Sequence, residues 1–245
     1  MIDRSLVERV ELLCLDAGNT LIFLDHARIA RFLAARGVAV ETASLIAAEG
    51  VAKRGLEGAG SGRLAPVRWS HQAAPGAQGW GLVIGTTIAV GGAPIERVPE
   101  LLDALWEDHV RFNLYSRVPE GLPGALDRLR AAGVKLAVIS NSEGMLAGLL
   151  DELGLLSRLD RVVDSALVGV EKPDPRIFSF ALDAFGIGPD RALHLGDTVA
   201  TDVAGARAAG IRTALLDPFE HYPDLHRDVP RVESVEAVAD AILSR

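Results

Sequence analysis

The sequence predicts an α/β fold, a doubly wound parallel sheet with a helical segment inserted after its first strand. Three features predict it: short apolar runs that each end in polar or glycine residues, helical patterns between those runs, and one long segment that breaks the alternation. Runs of this kind suit parallel strands buried on both faces. Strand–helix alternation then implies right-handed crossovers and helices on both sides of the sheet.

The first strand is read over Glu11 to Leu15, followed at once by DAGNT. Lys135 to Ile139, ahead of SNSEG, is the second. Arg161 to Val163 is a weaker third, Arg191 to Leu195 ahead of GDTVATD a fourth, and Thr213 to Leu216 a fifth. Between them, GLPGALDRLRAAG places Leu122, Ala125, Leu126 and Leu129 at helical spacing and stops on Gly133. Gly144 to Gly154 and Pro175 to Gly186 behave alike, and Asp202 to Gly210 is alanine-rich and also closes on glycine. The segment 25–114 has another character. It holds the helical patterns HARIARFLAARG, ETASLIAAEGVAKRGLE and VPELLDALWEDHVRFNL around a glycine-rich, low-charge region, 58–94. Within that region Trp80 to Val90 reads as a helix, although its apolarity would also suit a strand. The expected organisation is therefore a core of residues 1–24 and 115–245 with an inserted helical subdomain over 25–114.

Bulk properties set limits. The 245 residues are 49% hydrophobic and 24% charged, which fits a folded domain rather than a disordered one. The formal charge of −8 gives no electrostatic footprint for nucleic acid or an anionic membrane surface. One cysteine, Cys14, cannot form an intrachain disulfide and is read as a small core residue. The opening MIDRSLVERVELL lacks an apolar signal segment, and no run approaches the roughly 20 apolar residues that span a bilayer. A cytoplasmic protein is expected. Oligomeric state is not readable.

In an open parallel sheet, ligands bind beyond the carboxyl ends of the strands. Four polar motifs follow predicted strands in this chain: LLCLDAGNTL (Leu12 to Leu21), VISN (Val138 to Asn141), GVEKPDPRIF (Gly169 to Phe178) and HLGDTVATDVAGARAAG (His194 to Gly210). In this order they resemble the four motifs of the haloacid dehalogenase superfamily, in the subgroup with a helical cap after the first strand. The resemblance covers residues 9–24 and roughly 118–218 and is weak in the cap.

It implies a Rossmann-like core and a set of roles. Asp16 would be the nucleophile that forms a covalent aspartyl-phosphate. Ser140 and Asn141 would meet the phosphoryl group, and Lys172 would contact its oxygens and balance the clustered carboxylates. Asp16, Asp197 and the backbone carbonyl of Gly18 would hold Mg²⁺, with Asp202 ligating or acting one layer out. The implied substrate is a small phosphorylated molecule. His194 lies inside a strand and reads as a core histidine.

One position departs from the pattern. Phosphatases of this superfamily usually carry a second aspartate two residues after the first, as proton donor and base; here that residue is Gly18, followed by Asn19 where glycine is usual. Side-chain acid–base help is typically worth roughly 10²–10⁴ in rate. The nearest titratable residues in sequence, Asp25 and His26, could swing over the site but read first as solvated hinge residues. Relatives that break carbon–halogen bonds also lack the second aspartate, but often lack the acidic fourth motif that Gly196-Asp197 retains. Relatives that break carbon–phosphorus bonds use a cap lysine; Lys53 lies in the cap but reads as a solvated helix lysine. A binding or regulatory module of little turnover is the third alternative. Arg63, Arg68, His71 and Arg111 are candidates for polar contact from the cap.

Overall fold

The computed structural model describes residues 2–56, 68–74 and 77–244. Along the chain, α1 (Arg4–Val7) leads into β1 (Leu12–Leu15) and the short β2 (Phe23–Leu24). Four helices follow: α2 (His26–Ala34), α3 (Thr42–Leu56), α4 (Ala77–Val90) and α5 (Val98–Arg111). After β3 (Tyr115–Arg117) come α6 (Leu122–Ala131), β4 (Lys135–Ser140), α7 (Leu146–Glu152), β5 (Arg161–Asp164), α8 (Ser165–Val168) and α9 (Arg176–Phe185). The chain ends with β6 (Ala192–Gly196), a π-helical turn over Val199–Val203, α10 (Ala204–Ala208), β7 (Arg212–Leu216), β8 (Arg231–Val232) and α11 (Val235–Leu243).

Six strands form one sheet in the order β5-β4-β1-β6-β7-β8, every pair parallel. The predicted doubly wound α/β fold is the observed one. Strand β1 lies between β4 and β6, with Leu15 opposite Val138 and Leu195. The carboxyl ends of β1, β4 and β6 therefore come together where the strand order reverses, which is where such sheets bind ligands. All four residues of β1 are fully buried, as strands covered by helices on both faces require. Cys14 belongs to that core, and burial pushes its thiol up to about 12. One face of the sheet packs Leu12, Cys14, Ala137, Ile139 and Ala192 against Ile177, Phe178 and Ala181 of α9.

The chain divides into two compact units. Met1–Phe23, Arg117–Pro218 and His226–Arg245 form the sheet unit; Leu24–Ser116 with Phe219–Leu225 forms the helical unit. The helical unit has its own apolar core, built from Ile29 and Leu33 of α2, Leu45 of α3, Ile84 and Ile88 of α4, and Leu101, Leu102 and Leu105 of α5. Trp80 to Val90 is helical, as read from sequence. It carries no charged residue, and the hydroxyls of Thr86 and Thr87 bond back to the carbonyls of Leu82 and Val83 (2.7 and 2.8 Å). Trp80 packs edge-on to Trp106 at 5.1 Å and beside Trp69 at 5.8 Å.

Two expectations about this unit are corrected. Lys53 is buried rather than solvated, on a face of α3 that also buries Glu49. His26 is buried as well: its Nε2 lies 2.9 Å from Glu49 Oε2, and its ring meets Phe219 edge-on. Asp25 caps α2 by accepting from Arg28 N at 2.8 Å. For Lys53 and His26 the reason is shared: a helix-pattern reading sees one element at a time, whereas buried Glu49 gathers Lys53 from its own helix and His26 from 23 positions earlier. Among the described residues no helix is long and apolar enough to cross a membrane.

Candidate active site

Asp16 stands one residue beyond β1. Its backbone N–H donates to Leu195 O at 2.8 Å, which extends the β1–β6 ladder and fixes the carboxylate at the sheet's edge. The chain then turns sharply. Ala17 O accepts from Leu21 N and Ile22 N, Asn19 N donates to Ile22 O at 2.7 Å, and Gly18 bridges to Ile22. Asn19 sits at φ 52, the left-handed conformation that asparagine tolerates better than most residues.

Lys172 reaches the same place from the loop after α8. Its Nζ donates to Asp16 Oδ1 at 2.5 Å and to Asp202 Oδ1 at 2.6 Å, and all three side chains are buried. Asn141 locates this loop: its Oδ1 accepts from Lys172 N at 2.8 Å and its Nδ2 donates to Lys172 O at 2.9 Å. A residue expected to face the substrate thus uses its amide on the lysine backbone. Ser140 ends β4, buried, opposite Asp164 of β5.

The fourth motif contributes Asp197 and Asp202, both buried. Asp202 Oδ2 accepts from Thr198 N at 3.0 Å, its Oδ1 lies 3.2 Å from His194 Nε2, and Thr198 Oγ1 donates to Asp197 Oδ1 at 3.2 Å. Gly205 gives the KPDP loop its room, since a Cβ there would lie 3.1 Å from Pro173 Cα. Carboxylate oxygens of Asp16, Asp197 and Asp202 all lie within 4.8 Å of one another. Asp16, Ser140, Asn141 and Asp197 thus lie at the carboxyl ends of the central strands β1, β4 and β6 or just beyond them, and Lys172 and Asp202 come to the same cluster from the loop after α8 and the π-helical turn after β6.

Three buried carboxylates meet one ammonium, and the electrostatics follow. Burial pushes Asp16 up to about 7, with Lys172 opposing and Asp202 and Asp197 adding to the rise. For Lys172, burial works downward, but Asp16 and Asp202 outweigh it and hold the ammonium above its ordinary value. Burial works upward on Asp202, but Lys172 and His194 hold it below the usual carboxylate range. The excess of negative charge is what a divalent cation would offset, and a donor set made only of carboxylate oxygens suits a hard ion such as Mg²⁺.

Sequence reading missed two supports. Thr198 follows the GD pair and binds both aspartates. Asp164, the last residue of β5, and Ser165, the first of α8, pin the loop after Ser140: Asp164 accepts from Gly144 N and Leu146 N, and Ser165 Oγ accepts from Ser142 N. The VVDS run at a strand end was the available signal. Of the residues considered for polar contact from the cap, Arg63 lies outside the described residues, Arg68 and Arg111 are exposed on the helical unit, and His71 faces Glu107 at 3.8 Å.

A parallel doubly wound sheet with an aspartate–lysine cluster at the carboxyl ends of its central strands defines a class of α/β hydrolase. A haloacid dehalogenase-like hydrolase family model matches residues 10–210, and the chain belongs to that family. It is 39% identical over 128 residues to a phosphoserine phosphatase from Thermus thermophilus, covering 52% of this chain and 49% of that protein. It is 36% identical over 156 residues to haloacid dehalogenase-like hydrolase domain-containing protein 3 from Mus musculus, covering 63% of this chain and 62% of that one. The match thus spans about half of the first relative and about three fifths of the second. Among solved structures, the HAD-hydrolase YfnB from Bacillus subtilis, bound to magnesium, superposes with a TM-score of 0.61 at 15% identity, covering 96% of this chain and 99% of that one. At that identity the likeness concerns the fold.

Proposed function

We propose that the chain is a Mg²⁺-dependent phosphoryl hydrolase acting on a small phosphorylated molecule through an aspartyl-phosphate on Asp16. The observation that carries this reading is the cluster itself: Asp16 at a strand end, held by Lys172, with Asp197 and Asp202 within metal-sharing distance. Phosphatases among the relatives, including a phosphoglycolate phosphatase from Rhodospirillum rubrum at 32% identity, support it.

Asp16, Asp197, Asp202 and the Gly18 carbonyl would hold the ion, which supplies the positive charge that lets a carboxylate approach an anionic phosphate ester. An Asp16 carboxylate oxygen attacks phosphorus, and the bond from phosphorus to the leaving oxygen breaks as the new one forms. The Ser140 hydroxyl and the Lys172 ammonium donate to the phosphoryl oxygens and stabilise the charge spread over them in the transition state. A proton reaches the leaving oxygen from solvent. Water then attacks the aspartyl-phosphate, the bond between phosphorus and Asp16 breaks, and inorganic phosphate leaves. The helical unit is assigned the part of a cap that selects among leaving groups.

The direct test is turnover of an activated aryl phosphate with Mg²⁺ present and absent, with Asp16→Asn as the blank. Magnesium-dependent turnover lost in the variant is expected. Metal-independent release of halide from a 2-haloacid would instead establish the dehalogenase alternative, and no turnover of either substrate would leave the binding module.

A further inference from the structure

We propose that His194 is a positioning residue of this site: through Asp202 it sets where the Lys172 ammonium stands against Asp16. The inference rests on the reading above, in which Asp16 and Lys172 act on the substrate.

His194 occupies the middle of β6, paired with Cys14 on one side and Thr213 on the other. It is fully buried, and Phe178 meets its ring edge-on at 5.0 Å. Interior strands of parallel sheets are filled with apolar side chains. An imidazole there must be desolvated. Leucine would pack in the same place without that penalty. The polar ring therefore needs a reason, and its Nε2 supplies one. Nε2 lies 3.2 Å from Asp202 Oδ1. Ionised aspartate only accepts hydrogen bonds, so Nε2 carries the hydrogen and donates it.

Asp202 is then fixed at both ends. Oδ1 accepts from His194 Nε2 and from Lys172 Nζ, and Oδ2 accepts from Thr198 N. A carboxylate so held cannot turn about its last bond. Lys172, by contrast, ends a chain of four rotatable bonds, and its aim depends on what receives it. Pinning Asp202 leaves the ammonium one geometry in which it also meets Asp16 Oδ1. Small losses of alignment at reacting groups are costly in rate. The order of transmission is His194 to Asp202, Asp202 to Lys172, and Lys172 to Asp16.

The experiment compares the full-length wild type with His194→Leu, which removes the donor, and His194→Gln, whose side-chain amide can replace Nε2–H. With an activated aryl phosphate and saturating Mg²⁺, His194→Leu is expected to lower kcat roughly tenfold or more, the scale seen for outer partners of metal sites. KM is expected to change far less than kcat, because the displaced Lys172 contact acts mainly on charge that develops in the transition state, and Tm does not fall. His194→Gln is expected to recover most of the lost kcat. Wild-type kcat in His194→Leu overturns the proposal, as does a glutamine variant as slow as the leucine one when both keep wild-type Tm. If His194→Leu does not fold, His194→Asn takes its place, since its amide is one carbon too short to reach Asp202. A wild type that turns over no phosphate ester sinks the functional reading itself. The ¹⁵N resonance of Lys172 Nζ in substrate-free protein then decides the inference separately: a shift in His194→Leu that His194→Gln reverses supports it, and an unchanged resonance ends it.

Discussion

A Cβ built on Gly196 would lie 2.2 Å from Asp202 Cγ and 2.4 Å from its Cβ. The last residue of β6 must therefore be glycine if Asp202 is to lie against the strand and take the Lys172 ammonium. Gly196→Ala is expected to displace Asp202 rather than the strand, because the strand is held by β1 and β7 on either side. Crowding of this kind typically destabilises by about 1–3 kcal/mol, and a misplaced Lys172 should lower kcat on the order of a hundredfold. Thermal melts and kinetics on the same variant check both. Wild-type kcat in Gly196→Ala would show that Asp202 need not sit where it does.

Asp16 is unfavourable for stability in the metal-free protein. Its folded-state pKa, about 7, lies above the ordinary 3.8, so the favourable protonated form is fully present below 3.8 and is lost as pH rises through about 7. At pH 8 in chelator, Asp16→Asn should melt no lower than wild type, while its phosphate-ester turnover is abolished. A large drop in Tm would mean that the carboxylate is a structural anchor of Lys172 rather than a reactive group kept at a stability cost.

Magnesium should act on stability as well as on rate. An ion that binds only the folded chain raises its stability by about 2.7 kcal/mol at a hundredfold excess over Kd. Wild type should therefore melt higher in Mg²⁺ than in chelator. Asp197→Asn should shift the Mg²⁺ midpoint upward about tenfold or more, equivalent to about 1.4 kcal/mol of lost attraction. Identical midpoints in the two proteins would take Asp197 out of the metal site.

The helical unit carries its own acid sensitivity. His109 accepts from Leu114 N at Nδ1 (3.1 Å) and packs against Trp80 and Trp106. Burial, then the charge of Arg28, brings its pKa down to about 4 from 6.5. With the folded value below the unfolded one, the unfolded chain binds more protons between those values. Stability is then fully present above 6.5 and falls as pH drops toward 4, by up to about 3 kcal/mol. Glu49 adds a second, lower step. Burial works to raise it, but Lys53 and His26 outweigh that and bring it to about 2, so its contribution is present above 4.5 and is lost as pH falls toward 2. His109→Asn keeps an acceptor near Nδ1 but does not titrate. Its Tm should be flatter than wild type between pH 6.5 and 4; an equal slope would assign the acid loss to other groups.

The sheet and its site were legible because each motif abuts the apolar run that orients it. Asp16, Ser140 and Asp197 were found as residues at or next to strand ends, and Gly133 and Gly186 as helix stops, where both adopt positive φ. What could not be read were relations across long separations. Lys53 and Glu49 look like ordinary residues of a helix until His26, 23 positions before Glu49, supplies a buried partner. Phe219–Leu225 follows the last long strand yet packs with the helical unit, and His221 Nε2 lies 3.0 Å from Ile46 O. Likewise His194 looked like a core histidine, which it is by burial; its contact with Asp202 depends on the π-helical turn that brings residue 202 back over β6.

Gly18 gives the last prediction. With no side chain at that position, the first motif cannot protonate a leaving oxygen, and the nearest titratable neighbours in sequence are engaged inside the helical unit, Asp25 as the cap of α2 and His26 with Glu49. Solvent is then the proton source, and rate should depend steeply on leaving-group pKa. Aryl and acyl phosphates, whose leaving groups need little protonation, should be cleaved far faster than alkyl phosphates, by a margin within the roughly 10²–10⁴ that general acid help is worth. Gly18→Asp should raise kcat/KM for alkyl esters while changing that for aryl esters little, so the ratio of the two, measured on one preparation, is the quantity to compare. Equal rates on both classes in the wild type, with the chemical step shown to limit turnover, would mean that a protein group supplies the proton after all.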